Sequence, residues 1–242
     1  MKTKLPLQSR NVWWASLFGA VFLFWSITSL ADDLQRGLAA YEQRHFHQAW
    51  NILKPLADAG VIEAQRRIGV MYRHGLGVEK NDIAALKWYR KAAEQGHIRA
   101  QNSLGIMYRF GLGVERDPKE GARWLLAAAK QGDSKAQENI GGLYLDGVGV
   151  PQSDRQAAKW FTQAAKQGQV KAQLSIGLMT IAGRGGEKNE NLGMDWVIMA
   201  AKNGSTKAAE AAGKAYSEGL YGVSVDIGKA KYWYQRAGIP FN

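Results

Sequence analysis

The chain has 242 residues, 46% of them hydrophobic, which is enough apolar material for a continuous core in one large domain or a short array. Charges of both signs are interspersed with no acidic or basic tail, so wholesale disorder is excluded. The absence of cysteine excludes disulfides, a thiolate nucleophile, cysteine-ligated zinc and a lipid-modified N-terminal cysteine, while a net charge of +11 suits acidic partners or anionic surfaces as well as ordinary solubility.

Residues 1–31 read as an address. Lys2, Lys4 and Arg10 precede an uncharged stretch that includes Val12 to Leu30, and Asp32 and Asp33 follow at once. A basic start, an apolar core and small residues at Ser29 and Ala31 predict a secretory signal cleaved after Ala31. The apolar run is long enough to approach a membrane span, and Trp13, Trp14 and Trp25 near its ends suit an interfacial belt. An uncleaved inner-membrane anchor is therefore the alternative. Both readings keep the basic residues inside and predict a periplasmic or secreted remainder.

From there the chain repeats itself every 36 residues. Ala64, Ala100, Ala136, Ala172 and Ala208 keep this step, as do Gly69, Gly105, Gly141, Gly177 and Gly213. Tyr72, Tyr108, Tyr144 and Tyr216 follow, with Thr180 as the exception, and Trp88, Trp124, Trp160 and Trp196 extend the ladder, Trp233 falling one residue late. Each unit reads as two antiparallel helices. The first, such as 98–109, spaces Ala100, Leu104, Met107 and Tyr108 helically and ends at Gly111 and Gly113. The second, such as 119–130, starts behind the cap Asp117-Pro118 and stops at Gly132, and Asp82 and Asp154 are expected to cap their own units likewise.

One helix pair cannot bury both faces, so the pairs must stack. Small residues then set the helix spacing, and the aromatic residues fill the seams. The expected architecture is an all-α, right-handed α-solenoid of about six helix pairs: a degenerate capping pair at 32–60, five repeats over 61–238 and a tail at 239–242. Gly105, central in its helix, is expected to be repaid for its lower helix propensity by close approach of the neighbouring helix.

The segment Ala100 to Val114 (AQNSLGIMYRFGLGV) followed by Trp124 to Gly132 (WLLAAAKQG) resembles the Sel-one-like repeat, a longer relative of the tetratricopeptide repeat. The resemblance covers roughly Asp33 to Ala237. It implies an adaptor that holds protein partners, as in signalling, envelope assembly, secretion or host contact. One secreted branch of the family is described as binding or hydrolysing β-lactams, but its repeats are stapled by cysteine pairs that this chain lacks. A cell-wall or β-lactam-directed hydrolase and an anchored envelope assembly factor stand as the alternatives to a scaffold.

No catalytic constellation emerges, and the chain is expected to be neither an enzyme nor a carrier of cofactor or metal. His45 and His47 are spaced for two metal ligands, but no third histidine or cysteine accompanies them. Gly75-Leu76-Gly77 and its copies follow helices rather than strands, so they are turn glycines and not a phosphate loop.

A partner is expected instead on the concave wall of first helices, where positions escape the packing pattern. Comparing units at fixed offsets singles out Arg66, Arg67, Arg73 and Arg109, with Asn102 and Asn139 nearby. Guanidinium forks and amides suit a carboxylate or an acidic segment. Leu145, Leu174, Met179 and Ile181 make the wall more apolar further along. The expected partner is a protein or peptide, an acidic one among the fits, with no nucleic acid and no membrane contact beyond the N-terminal segment.

Overall fold

The computed structural model describes residues 30–241, so the signal or anchor reading of residues 1–31 lies almost wholly outside the described residues. Among the described residues there are twelve helices and no strand. They are α1 (residues 30–42), α2 (Phe46–Asp58), α3 (Ile62–His74), α4 (Asp82–Glu94), α5 (Ile98–Phe110), α6 (Pro118–Lys130), α7 (Ser134–Asp146), α8 (Asp154–Lys166), α9 (Val170–Ala182), α10 (Glu190–Lys202), α11 (Thr206–Glu218) and α12 (Ile227–Ala237). The fold is an all-α solenoid of helix pairs, as the 36-residue period implies. The chain divides into two compact units, residues 1–92 and 93–242, with the division near the end of α4.

The boundaries of the helices follow from local chemistry. The first helix of each repeat ends on a left-handed glycine, such as Gly111 at φ 71°, whose N–H returns to the Met107 carbonyl. The second helices begin behind side-chain caps. Asp117 accepts from the amides of Lys119 and Glu120, as its position ahead of Pro118 foretold. Asp82 and Asp154, by contrast, are not the caps of their helices. Asn81 accepts from Ala84 and Ser153 from Gln156, and the two aspartates stand one residue later in the first turn, where their charge suits the positive end of the helix. The second glycine of each loop has its own role. Gly149 lies at φ 73° and a methyl group there would collide with the carbonyl of Pro118, at the start of the preceding repeat's second helix. These are stacking glycines.

In residues 1–92 the core gathers Leu53, Ile68 and Met71, fully buried, with Trp88 closing it. In residues 93–242 the core continues through Leu125, Ile140 and Leu143, then Phe161, Ile176 and Met179, then Met194, Val197 and Trp233. Trp160 of α8 belongs to the cluster built by α6 and α7, so the tryptophan bridges from one pair to the previous one. Its Nε1 has no hydrogen-bond partner.

Within each pair the central glycine of the first helix does permit close approach, and it does so in two alternating ways. Added methyl groups on Gly69, Gly141 and Gly213 would strike the rings of Tyr89, Phe161 and Tyr234, which lie flat against the glycine. On Gly105 and Gly177 they would instead meet backbone, 2.8 Å from the Gly121 carbonyl oxygen and 2.9 Å from that of Gly193. The second helix co-varies. It carries Ala85, Ala157 and Ala230 where the partner is aromatic, and Gly121 and Gly193 where the partners are Leu125 and Val197. Either a ring fills the gap or both backbones close it.

A second ladder ties pair to pair. Gln65, Gln101, Gln137 and Gln173 keep the 36-residue step and are all buried. Gln65 donates to the Ala57 carbonyl, Gln137 to Ala129 at 3.1 Å and Gln173 to Ala165 at 3.2 Å. Their side-chain oxygens accept in turn: Gln101 from Gln131 at 2.7 Å, Gln137 from Gln167 at 2.8 Å and Gln173 from Asn203 at 3.0 Å. A buried amide that satisfies both its ends fixes the register of the stack, because losing either partner strands a polar group.

Candidate interaction surface

The six residues singled out from the sequence fall into two sets, three in each unit. In residues 1–92, Arg66 is buried and grips Glu63 through two nitrogens, at 3.0 and 2.6 Å. Arg67 bonds the same carboxylate at 2.9 Å, reaches Glu42 at 3.1 Å and stacks over Tyr41. Arg73 pairs with Asp82 at 3.0 Å. All three guanidinium groups are thus already held by carboxylates of their own unit, and an incoming acidic group would compete with them.

In residues 93–242, Asn139 of α7 donates to Asn102 of α5 at 3.2 Å, joining neighbouring first helices. Arg109 lies over the ring of Phe110, which is 58% exposed.

A row that the sequence reading passed over is less committed. Arg99, Lys135, Lys171 and Lys207 are the second residues of α5, α7, α9 and α11, and all four are exposed. None is within ion-pair distance of a carboxylate. The step of 36 that revealed the alanine ladder also marks this row one residue earlier. Beside it lie two depressions. One, of about 410 Å³, is lined by Lys135, Glu138, Asn139 and residues 168–171. The other, of about 650 Å³, is lined by Val170, Lys171, Leu174, Ser175 and residues 203–207. Val170 and Lys171 border both.

Glu138 sits half-buried in this row. Burial pushes its carboxyl above the usual range, opposed by Lys171, by the nearby Ala172 amide and by Lys135. Elsewhere two arginines are committed to carboxylates. Arg123 holds Glu120 at 2.8 and 2.6 Å and stacks on Trp124, whose Nε1 donates to the same carboxylate at 2.7 Å. The Arg123 hydrogen bonds hold Glu120 below the usual carboxylate range. Arg184 forks onto Asp154 at 2.9 and 2.8 Å, lowering that carboxyl in the same way.

A model of the Sel1 repeat matches residues 62–97, 98–133, 134–169, 170–205 and 206–238, in phase with the helix pairs α3–α4 to α11–α12. The chain belongs to the Sel1 repeat family. Its structure is similar to that of a Sel1 repeat protein from Oxalobacter formigenes, at 33% identity and a TM-score of 0.80 over 86% of both chains. It is also similar to c5321, a protective antigen of uropathogenic Escherichia coli strains that displays an SLR fold. There the identity is 29% and the TM-score 0.82, over 86% of this chain and 45% of that one, so this chain spans a little under half of c5321. Immunity protein Pa5087 from Pseudomonas aeruginosa shares the fold alone, at 20% identity and a TM-score of 0.52, over 84% of this chain and 81% of that one. No curated protein matches the chain significantly. Sel1 repeat proteins are in general scaffolds for protein–protein interaction and are typically not enzymes.

Proposed function

We propose that this Sel1 repeat protein is an exported scaffold that holds a protein or peptide partner against its first helices, rather than a cell-wall or β-lactam-directed hydrolase. The observation that carries this reading is the open surface of the first helices. Lys135, Lys171 and Lys207 border two depressions there, with no carboxylate in ion-pair distance. Export rests on the basic start, the apolar stretch and the small-residue site of residues 1–31. Retention of that stretch as an inner-membrane anchor is the alternative, and N-terminal sequencing of the exported protein separates the two: a start at Asp32 means cleavage and a start at Met1 means anchoring.

Because the chain has no cysteine, a single one can be placed cleanly. Ser175→Cys puts a photo-crosslinker in the larger depression, and Lys159→Cys puts it on the exposed surface of a second helix. Partner capture from Ser175→Cys alone supports the reading. Equal capture from both positions overturns it.

A further inference from the structure

Beyond that reading, and away from the two depressions, we infer that the outer surface of α10 and α12 is a self-association site. A second copy of this chain docks there side by side, related by a twofold axis. Three observations converge on this occupant.

The first is where the apolar surface lies. Leu192 and Met199 of α10 are exposed, and with Asp195 between them they follow the i, i+3, i+7 spacing of one helix face. The same positions hold Glu120, Arg123 and Ala127 in α6 and Gln156, Lys159 and Gln163 in α8. Beside α10 stands α12, whose Trp233 shares a buried cluster with Val197 and whose incoming loop sets Gly222 against Asn191. Ile227 and Tyr232 of α12 are exposed as well. Apolar side chains scattered singly over a surface are ordinary, but a set gathered on two neighbouring helices marks an interaction surface.

The second is that the stack of pairs is finished, so this surface is not the seat of a further repeat. In α10, Met194 is buried and Ile198 partly buried, both in the cluster shared with the following pair. Counted from Trp196 and Trp233, the same positions in α12 are Lys231 and Gln235, both exposed. Phe241 then stacks on Tyr234 with the ring centroids 5.5 Å apart. Polar side chains and an aromatic lid close the end, as they do in the capping units of stacked arrays. A copy added end to end meets no apolar face there. Side-by-side docking is what buries Leu192, Met199, Ile227 and Tyr232.

The third is charge. Asp195 has no ion pair among the described residues. Neither has Arg236, which lies against Tyr232 with Nη1 3.4 Å from its hydroxyl. An apolar surface with one free acid on one helix and one free base on the next is its own complement. When a twofold rotation sets α10 against α12 of the second copy, Asp195 meets the second copy's Arg236, and the contact forms twice, as every contact of an isologous interface does. Lys202 and Lys231 stay at the rim, in water. An unrelated partner would have to reproduce this arrangement, whereas a second copy carries it by construction.

Sedimentation equilibrium of the purified chain tests this. The wild type is expected to show a monomer–dimer equilibrium, and Leu192→Glu combined with Met199→Glu to shift it to the monomer with unchanged helical circular dichroism. Asp195→Arg and Arg236→Asp each set like charges against one another at both contacts and are expected to weaken dimerisation by about tenfold or more. Mixed in equal amounts, these two variants are expected to pair with each other at close to the wild-type affinity, because each supplies the sign that the other needs. A local loss of structure gives no such recovery. Phe110→Ser, which changes an exposed apolar side chain on a first helix, is expected to leave dimerisation unchanged. A wild type that stays monomeric at every concentration, a dimer indifferent to the Leu192 and Met199 substitutions, or charge variants that fail to recover on mixing would overturn the proposal. So would a monomer that binds phosphatidylglycerol vesicles through Leu192 and Met199, which assigns the surface to lipid.

Discussion

Glu138, on α7, faces the backbone amide of Ala172 in the first turn of α9, and that amide favours its charged form. The equivalent amides of Ala100, Ala136 and Ala208 are bonded by their own helix's cap, His97, Asp133 or Ser205. In α9 the cap position is Gln169, whose side chain makes no such bond and instead donates to Ser134 at 2.7 Å. The start of α9 thus has no side-chain cap of its own, and Glu138 of the preceding repeat borders the smaller depression beside it.

Glu138→Ala breaks no hydrogen bond or ion pair and is accordingly expected to change stability at pH 7 by no more than about 0.5 kcal/mol, as read by urea denaturation. The pH dependence has a definite sign. Burial raises the folded-state carboxyl, so the native protein holds this proton to higher pH than the unfolded chain. The associated stability is fully present below the unfolded value, about 4.3, and is lost as pH rises through the folded one. The Tm difference between the wild type and Glu138→Gln, which cannot ionise, is expected to favour the wild type most near pH 4 and to shrink towards pH 7. A difference that grows with pH would contradict this.

The alternation between ring-filled and backbone-filled crossings makes a second prediction. A methyl group at position 121 would stand 2.8 Å from the Gly105 carbonyl oxygen and 2.9 Å from the Arg109 amide nitrogen, neither of which is a flexible side-chain end. Gly121→Ala is therefore expected to lose about 1–3 kcal/mol despite its better helix propensity. Gly142→Ala, a few turns away in space and free of neighbours, is expected to gain up to about 1 kcal/mol. Thermal melts of the two variants should move in opposite directions.

Much of this fold was legible because repetition turns one ambiguous helix pair into five consistent ones. The small residues, the terminating glycines and the aromatic seams all declared themselves by their step. What the step did not disclose was partnership. Arg66, Arg67 and Arg73 vary from unit to unit and so looked free for a ligand, but Glu63, Glu42 and Asp82, which hold them, vary too. A comparison made column by column misses a compensating change in another column. The opposite error hid Gln137 and Lys171. Both recur at the same step, the glutamine in four units and the lysine in three, yet a buried glutamine and an exposed lysine carry no hydrophobic signal. An acid ahead of a helix is the stronger cue in the sequence and points to Asp82 and Asp154, but Asn81 and Ser153 one residue earlier cap these helices.

Charge reversal separates the two candidate sets experimentally. Arg73→Glu faces Asp82 across a part-buried pair and is expected to cost stability, on the order of 1 kcal/mol, before any partner is considered. Lys207→Glu breaks no ion pair, stands exposed in the first turn of α11 where a negative charge suits the helix, and is expected to melt within about 0.5 kcal/mol of the wild type. Loss of partner binding in Lys207→Glu with an unchanged melt therefore reports on the surface, whereas a loss in Arg73→Glu has to be corrected for unfolding.

The glutamine ladder ends before the chain does. Position 209, the next in the series after Gln173, is Ala209, so the pair α11–α12 has no buried amide donating to the carbonyl of Ala201. In a stacked array each pair is held by its own stability and by its neighbours, and an end pair has only one neighbour. Amides of α11 and α12 are expected to exchange with an opening free energy about 1–3 kcal/mol below those of α7 and α8, measured by hydrogen exchange with mass spectrometry. Gln137→Ala removes the buried bonds to the Ala129 carbonyl and from Gln167, and it is expected to bring α7 and α8 down towards the level of the end pair. Uniform protection from α5 to α12 in the wild type would mean that the small residues and tryptophans alone couple the repeats, with the glutamines adding nothing to cohesion.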